Sequence, residues 1–456
     1  MNLRNMPTDP SIFKAYDIRG VYPEQIDEDT AYRIGQAYAQ VFKPEGEVLV
    51  GHDVRLQSEN LKNNLIKGLV DAGVDVCDFG LISTEMLYFG VGNFGFAGGI
   101  QVTASHNPPE WHGMKMVKKG VAPVTPETGG NSIKEFVFSG NLAKGKVSGK
   151  IRKYNADDEY CDYLLSNWID TTRIAPLKIV YNPNFGYEGK LFEKIVLKGK
   201  LPLTIIPLNA NPDGSFPKGR PDPFVPENRP EFTNLVKEEN ADLGIAWDAD
   251  ADRVFFCADG GIFLEPYYAN TILIEQALKK YPKAKIIYDP RYTWALLDAI
   301  KSNGGEPVLV RVGHSYIKEA MRLHNAVFAA ESSGHTYYRD FWYADCGLIP
   351  ALQLIQYLSQ SGKKLSEIIK PIMKKYVVSG EINSTVVDVV AVLTKLKNKY
   401  SDGKISELDG LSVEYEEFRF NVRASNTEPL LRLNLEARSQ KMMEEKRDEV
   451  LSLIRS

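Results

Sequence analysis

One rhythm constrains this chain more than any other feature. Short runs rich in β-branched residues alternate with segments of helical period, and the alternation is played three times over. The first round reads VLVGHD at 48–53, the periodic ENLKNNLIKGLVDAG, VDVCDFG at 74–80 and then GGIQVTASH. Alternation of this kind predicts α/β architecture, because each crossover helix returns the chain to a neighbouring strand. The rhythm restarts after SGNLAKGKVSGKIRKY, with helical DDEYCDYLLSNWI and strands KIVYNP, LTIIPLN and DLGIAWDADAD. It restarts again with helical YYANTILIEQALKKY, strand AKIIYDPR, a helix from about Trp294, and strands EPVLVRVGHS and AVFAAESSGH. After ALQLIQYLSQ and LSEIIKPIMKKY the pattern changes to β-type runs and a terminal amphipathic helix, KMMEEKRDEVLSLI, which predicts a smaller fourth unit.

Size and charge narrow the function. A chain of 456 residues, 43% hydrophobic, can bury several cores; length alone suggests about three domains. Lys and Arg number 55 against 59 Asp and Glu, so no overall basic field recruits nucleic acid or an anionic membrane. Ligands must be found by local sites. Cys77, Cys161, Cys257 and Cys346 form no close pair, which argues against a disulfide framework or a zinc site. The stretch MNLRNMPTDPSIFK lacks the apolar core of a signal peptide, and no run of about 18 apolar residues exists to span a bilayer. The expectation is a soluble, cytoplasmic protein with a small-molecule ligand.

In α/β sheets, ligands gather at the carboxyl ends of strands. Each module here ends an apolar run in a polar turn, which points to one cleft lined by several modules. The first turn is QVTASHNPPEWHGMK. Pro108 and Pro109 push the preceding residues into extended geometry, so Thr103 to Asn107 are expected to form an exposed turn presenting Ser105. It is not a hydrolase nucleophile elbow: Thr103 and Asn107 stand where that motif needs Gly, and adjacent Ser105 and His106 are expected to point apart. The second turn, WDADADR, places Asp248, Asp250 and Asp252 at every second position, on one side of an extended segment. Three clustered carboxylates repel one another unless a cation neutralises them. A calcium hand would need Gly where Arg253 stands and Glu where Asp259 stands, so a hard ion such as Mg2+, completed by a phosphate oxygen, fits better. A strand ending in Asp-x-Asp also resembles the haloacid-dehalogenase-type phosphotransferases, whose next-but-one position is Thr or Val where this chain has Asp252; the reading with Asp248 as nucleophile stays open.

The third turn, ESSGHTYYRDFWYADCG, offers Glu331, Ser333 and His335, with Gly334 allowing close backbone approach. A carboxylate beside a hydroxyl can bond vicinal sugar hydroxyls, although a helix cap would use the same residues. In FNVRASNTEPLLRLNLEA, Arg423, Ser425, Asn426 and Thr427 crowd one turn, where a planar guanidinium, hydroxyls and turn amides suit a phosphate, or a plain salt-bridged turn. GNLAKGKV, from Gly140, carries Val147 in place of the metal-binding Ser or Thr of a phosphate-binding P-loop, and GNFGFAGG lacks dinucleotide spacing.

Taken together, FKAYDIRG at 13–20, TASHNP, DADADR, ESSGH and RASNTEP resemble, in order and over essentially the whole chain, the α-D-phosphohexomutase superfamily, and most of all its phosphomannomutase/phosphoglucomutase branch. The resemblance implies an α/β fold of three similar mixed-sheet α/β domains plus a smaller C-terminal α+β domain around one central cleft. Their boundaries are expected at 1–152, 153–256, 257–369 and 370–456. It implies that Ser105 is the phosphorylated residue and a metal ligand beside Asp248, Asp250 and Asp252. ESSGH would be the sugar-recognition loop and RASNTEP the holder of the non-transferred phosphate. Tyr16, Arg19 and Lys115 match family residues near the phosphoserine, Arg253 follows the aspartates of the family's metal loop, and His314 matches a family residue that faces the substrate phosphate or sugar. Ala249 and Ala251 replace the family's usual glycine spacers, and Arg291 stands where a lysine is often found.

The implied reaction is reversible conversion of a hexose 1-phosphate to its 6-phosphate through phosphoserine and a 1,6-bisphosphate, which also serves as activator. Arg19, Arg253 and Lys115 would stabilise the transferring group, and Lys115, His106 and His335 are candidates for the proton transfer. Glu331 and Ser333 reading the sugar's 3- and 4-hydroxyls would not separate glucose from mannose. The amino-sugar branch ranks second, because Ser332 replaces its usual Gln, and a non-catalytic phosphosugar-binding protein is the alternative of another class.

Overall fold

GGIQV forms the strand Gly98–Val102, buried along its whole length, in the computed structural model of the chain, which describes residues 9–14, 17–140, 142, 145–424 and 430–456. The chain divides into two units, Met1–Gly261 with His335–Ser361, and Ile262–Gly334 with Gly362–Ser456. In the first unit, Gly98–Val102 runs parallel to Val48–His52 and antiparallel to Trp111–Lys118. Ile18–Val21 and Val76–Leu81 extend the sheet on either side. A strand buried on both faces favours an apolar run over alternation, and the one polar side chain of GGIQV, Gln101, is satisfied inside by Thr84 Oγ1 and Ile82 O. Helices Glu28–Phe42 and Ser58–Asp71 cover this sheet and meet at glycines. A Cβ at Gly68 would lie 2.0 Å from Tyr32 O, and one at Gly35 would lie 2.3 Å from Leu65 O, so neither position admits a side chain.

A second sheet of this unit centres on Leu243–Trp247, fully buried, between parallel Leu177–Asn182 and antiparallel Val254–Ala258. Leu203–Pro207 lies outside Leu177–Asn182. The hairpin of Thr336–Tyr338 and Ala344–Asp345, followed by helix Leu348–Ser361, also belongs to this unit.

In the second unit, Lys285–Tyr288 lies between parallel Glu306–Leu309 and Phe328–Ala330. EPVLVRVGHS is expected as one strand, but only Glu306–Leu309 pairs, and His314 opens the helix His314–His324. Gly313, at φ +133, makes the change of direction, and the helix hides the apolar side of its SYIKEAM stretch at Ile317 and Met321. This unit also holds an antiparallel sheet, ordered Val377–Val378, Leu430–Ala437, Phe418–Ala424, Leu411–Glu414 and Lys404–Ser406. Helices Val389–Lys399 and Gln440–Arg455 pack on it around Phe420, Leu433, Leu435 and Val450. No helix among the described residues is long and apolar enough to cross a membrane.

Candidate active site

The sheet delivers Ser105. After Val102 pairs with His52 and Met114, Thr103 N donates to Gly113 O (3.0 Å) and the chain leaves the sheet. Ser105 N then donates to Thr103 Oγ1 (2.9 Å) and Asn107 N to Ala104 O (3.0 Å), closing a tight turn before the prolines. The turn is not exposed, as its composition suggests it would be: Ser105 is 1% accessible. Its polar groups are satisfied inside the protein rather than by water, which removes the reason for exposure. Nor do Ser105 and His106 point apart. Ser105 adopts φ +50, off the extended geometry on which that expectation rests, and its Oγ lies 3.1 Å from His106 Nδ1.

The WDADADR turn connects Leu243–Trp247 to Val254–Ala258. It is a turn rather than an extended segment: Ala251 N donates to Asp248 O (3.0 Å), and Ala251 takes φ +59. A side chain in this left-handed region costs about 1–2 kcal/mol, which is the consequence of alanine where glycine would be at ease. The turn still converges the carboxylates, with one ligand atom each of Asp248, Asp250 and Asp252 within 4.8 Å of one another, all buried. Ser105 Oγ donates to Asp248 Oδ2 (2.8 Å). Asp250 Oδ2 accepts from Thr84 Oγ1 (2.6 Å), Thr103 Oγ1 (3.2 Å) and Lys115 Nζ (2.7 Å), and Lys115 also pairs with Asp252. Burial, then Asp252 and Asp250, push the Asp248 carboxyl well above its ordinary range. Burial acts the same way on Asp252, but Lys115, His335 and Arg253 overcome it and hold that carboxyl well below. The donor set fits a hard divalent cation: three convergent oxygens, a serine hydroxyl beside them, and Asp250 Oδ1 buried with no hydrogen-bond partner.

Cations surround this group. Arg19 pairs with Asp17 (2.8 Å), donates to Ala104 O (3.1 Å) and reaches Asn107 Oδ1. Lys115 is carried into place by the register of Trp111–Lys118, opposite Gln101. Burial opposes its charge, but Asp250 and Asp252 prevail and its pKa is raised. Arg253 donates through its backbone to Asp248 Oδ1 (3.2 Å), and its guanidinium lies 3.4 Å from His106 Nε2 and 3.4 Å from His335 Nε2. Burial, then Arg253, Arg220 and Arg19, lower the His106 pKa well below its ordinary value, so the ring is neutral. With Arg253 donating to Nε2, the proton is assigned to Nδ1, which faces the serine oxygen. His335 Nε2 stands 3.5 Å from Asp252 Oδ1.

The second unit assembles its own polar group. Arg291 forks onto Asp289 (3.0 and 2.8 Å) and turns Nη2 toward Glu331 Oε1 (3.3 Å) and Ser333 Oγ (3.4 Å). Glu331 Oε1 also accepts from Gly313 N (3.3 Å), one residue before His314. Although burial disfavours its charge, Arg291 is held above its ordinary pKa by Asp289 and Glu331. Arg423 is buried with no partner for Nε, and burial, then Arg291, lowers its pKa. A buried guanidinium with a spare donor beside other cations is suited to an anion. Tyr16, Ser425, Asn426 and Thr427 lie outside the described residues.

The sequence reading missed Thr84, Arg55 and Arg220. Arg220 Nε donates to His106 O (3.0 Å). Asp53-Val54-Arg55 closes the apolar run VLVGH and so sits at the carboxyl end of a strand, the rule that found the other turns. Thr84 carries no such signal, since its partner Asp250 is 166 residues away.

The sequence matches the four descriptions of phosphoglucomutase/phosphomannomutase domains in order: alpha/beta/alpha domain I over residues 10–144, domain II over 158–261, domain III over 266–376 and the C-terminal domain over 381–453. The chain belongs to the phosphoglucomutase/phosphomannomutase family. It has that family's plan of three similar α/β domains and a smaller C-terminal one. A phosphomannomutase of Escherichia coli is 41% identical over 98% of this chain and 100% of its own. A protein of Xanthomonas campestris pv. campestris described as phosphohexose mutases is 42% identical over 97% of this chain and 99% of its own. Among solved structures, a phosphoglucomutase/phosphomannomutase family protein of Burkholderia thailandensis superposes with a TM-score of 0.88 at 32% identity, covering 98% of this chain and 97% of that one.

Proposed function

We propose that the chain interconverts mannose or glucose 1-phosphate and the corresponding 6-phosphate, by way of phosphorylated Ser105 and a hexose 1,6-bisphosphate. That it is a phosphohexose mutase, and so an isomerase, rests on full-length similarity to phosphomannomutases and phosphohexose mutases. The observation that carries the finer reading is Ser105 Oγ at 2.8 Å from Asp248 Oδ2, inside a group of three carboxylates ringed by Arg19, Lys115 and Arg253.

In this reading, phosphoserine brings about −1.5 to −2 charges into a buried pocket, and the three cations are set to receive it. Asp248, Asp250 and Asp252, with Ser105, would hold Mg2+, which when bound polarises the phosphoryl oxygens. Transfer needs positioning and charge stabilisation more than covalent chemistry from the protein. Lys115, held charged by its two aspartates, supplies charge at the transferring group, and neutral His106 supports the serine oxygen through Nδ1. Arg291 Nη2 lies near both Glu331 Oε1 and Ser333 Oγ, a carboxylate and a hydroxyl that accept from and donate to vicinal sugar hydroxyls, and Arg423 binds the phosphate that is not transferred. Glucose and mannose differ at carbon 2, outside that pair of hydroxyls, so both are substrates. All four cysteines are unpaired and buried, which supports work in a reducing cytoplasm.

The test incubates the protein with Mg2+, a trace of glucose 1,6-bisphosphate and mannose, glucose or glucosamine 1-phosphate, beside Ser105→Ala. Turnover of the mannose and glucose substrates that collapses in the variant is the expected result. Turnover that survives moves the nucleophile to Asp248, and a strong preference for the amino sugar overturns the substrate assignment.

A further inference from the structure

Arg55 has no part in the chemistry described so far, yet its side chain is spent almost wholly on the nucleophile loop. It follows the strand Val48–His52 and is 2% accessible. Nη2 donates to Ser105 O (2.7 Å) and Asn107 O (2.6 Å), and Nη1 donates to Pro108 O (2.6 Å) and Trp111 O (2.9 Å). Four carbonyls spread over seven residues are thereby drawn to one planar cation. The guanidinium is itself fixed: Asp53 Oδ2 lies 3.2 Å from Nε, Phe216 stacks 5.0 Å away, and Asp53 Oδ1 is tied to Arg55 N (3.0 Å) and Ser58 Oγ (2.6 Å).

From this geometry we infer that Arg55 is the positioning residue of the phosphoryl-carrying loop, the group that holds Ser105 in its reacting conformation. Ser105 sits at φ +50, a left-handed region that is costly for a residue with a Cβ, and the loop's own hydrogen bonds are two short turns. Charge-assisted bonds from a guanidinium to the carbonyls of Ser105 and Asn107 outweigh that cost. Because the peptide unit is planar and trans, drawing Ser105 O toward Arg55 turns the His106 N–H to the opposite face of the loop. Holding that peptide fixes the direction of the Ser105 Cα–Cβ bond, from which Oγ reaches Asp248 at 2.8 Å by one side-chain rotation. Arg55 thus acts on the serine through its backbone, without touching the transferring group. A lysine cannot replace it, because a single ammonium cannot span four carbonyls in one plane.

The inference rests on Ser105 being the phosphoryl carrier, so the experiment carries Ser105→Ala alongside. Full-length Arg55→Lys and Arg55→Ala are compared with the unmodified protein for thermal unfolding, for kcat and KM with mannose 1-phosphate, and for the 31P signal of enzyme phosphorylated with glucose 1,6-bisphosphate. The expected result is a folded Arg55→Lys with KM close to that of the parent and kcat lower by about 100-fold, the cost of a small misplacement of a reacting group. Its phosphoserine resonance is shifted or broadened, and guanidinium ion at millimolar concentration restores part of the Arg55→Ala rate. An unchanged kcat and an unchanged 31P signal in folded Arg55→Lys overturn the inference. So does a loss of activity that only tracks unfolding and is not rescued by guanidinium. If Ser105→Ala retains turnover, the phosphoserine reading itself falls and Arg55 with it; if Ser105→Ala is dead while Arg55→Lys keeps its kcat, Arg55 alone is wrong.

Discussion

Ser105 Oγ donates its proton to Asp248 Oδ2 across 143 residues of sequence, at 2.8 Å. The bond joins the serine proposed as phosphoryl carrier to the carboxylate whose charge is least favoured in the group: burial and its two neighbours push Asp248 up while Lys115, His335 and Arg253 hold Asp252 down. The pair of opposite shifts comes from position alone, since the two side chains are chemically identical.

Asp248→Asn keeps the size of the side chain and removes its charge. It takes away one oxygen ligand and leaves an amide nitrogen in the group, so kcat with mannose 1-phosphate should fall by about 100-fold or more. Raising Mg2+ should recover little of it. A variant with parental kcat would show that Asp248 is not needed for transfer. Steady-state kinetics across a Mg2+ titration make the measurement.

Chelation should be equally diagnostic. With EDTA the three carboxylates are left to Lys115 and Arg253, and turnover should stop and then return on adding Mg2+. A cation that binds only the folded protein also stabilises it, by about 2.7 kcal/mol at a hundredfold excess over its Kd. Thermal unfolding should therefore shift upward with Mg2+, and the shift should shrink in Asp250→Asn. An equal shift in both proteins would place the ion elsewhere.

The turns at Ser105, at Asp248 to Arg253 and at Glu331 to His335 were legible because each closes an apolar run, and composition marks such closures. Three alternating aspartates also read as a cation site without any knowledge of the backbone. What composition could not convey was the path of that backbone. Positive φ at Ala251 comes with a local turn to Asp248 O, whereas the loop at Ser105, also at positive φ, is tied through Ser105 O to Arg55, remote in sequence, and His106 comes back onto the serine. The turn at Ser105 read as exposed for the same reason, since Asp248, Arg55 and Arg253 supply from a distance the contacts that water would otherwise make. EPVLVRVGHS read as one strand because its alternation continues past Leu309, but Gly313 redirects the chain into a helix.

Arg423 offers a clean test of the phosphate assignment. Its Nε is buried with no hydrogen-bond partner, and burial, then Arg291 and Arg432, disfavour its charge. A bound phosphate would relieve both. Arg423→Gln should raise KM for mannose and glucose 1-phosphate alike, by about 10-fold or more, the worth of a charge-assisted hydrogen bond. The parent's KM should rise with ionic strength more steeply than the variant's. Equal salt dependence in the two proteins would remove Arg423 from the phosphate site.

Glu436 tests how the second unit holds Arg291. Fully buried, it pairs with Arg419 (3.0 Å) and caps Trp294–Ser302 through Thr293 N (2.7 Å) and Trp294 N (3.3 Å). Arg419 in turn donates to Pro290 O (2.7 Å) and Arg291 O (3.0 Å). Glu436→Ala leaves a buried cation without its counterion and should cost about 3–5 kcal/mol, read in denaturant unfolding. A cost below about 1 kcal/mol, the range of exposed pairs, would mean that the pair is not the anchor of this loop.

Glu188 gives a prediction in pH. It opens the helix Glu188–Lys198, is fully buried, and is pushed well above the usual carboxyl value of 4.5 by burial and then by Glu85. Glu85 accepts from Tyr160 OH (2.6 Å), the Cys346 thiol (2.7 Å) and Gly347 N (2.7 Å). The folded protein therefore holds a proton on Glu188 at pH values where the unfolded chain has lost it. Stability falls with rising pH wherever the native state binds more protons, so this contribution is complete below 4.5 and is lost as pH climbs toward and through the folded value. Glu188→Gln mimics the protonated acid at every pH and removes that slope. Between about pH 5 and about pH 9, the variant's melting temperature should start near the parent's and move progressively above it. Parallel curves would mean that Glu188 has the same protonation in the folded and unfolded chains, and the carboxyl pair with Glu85 would then not be what its burial implies.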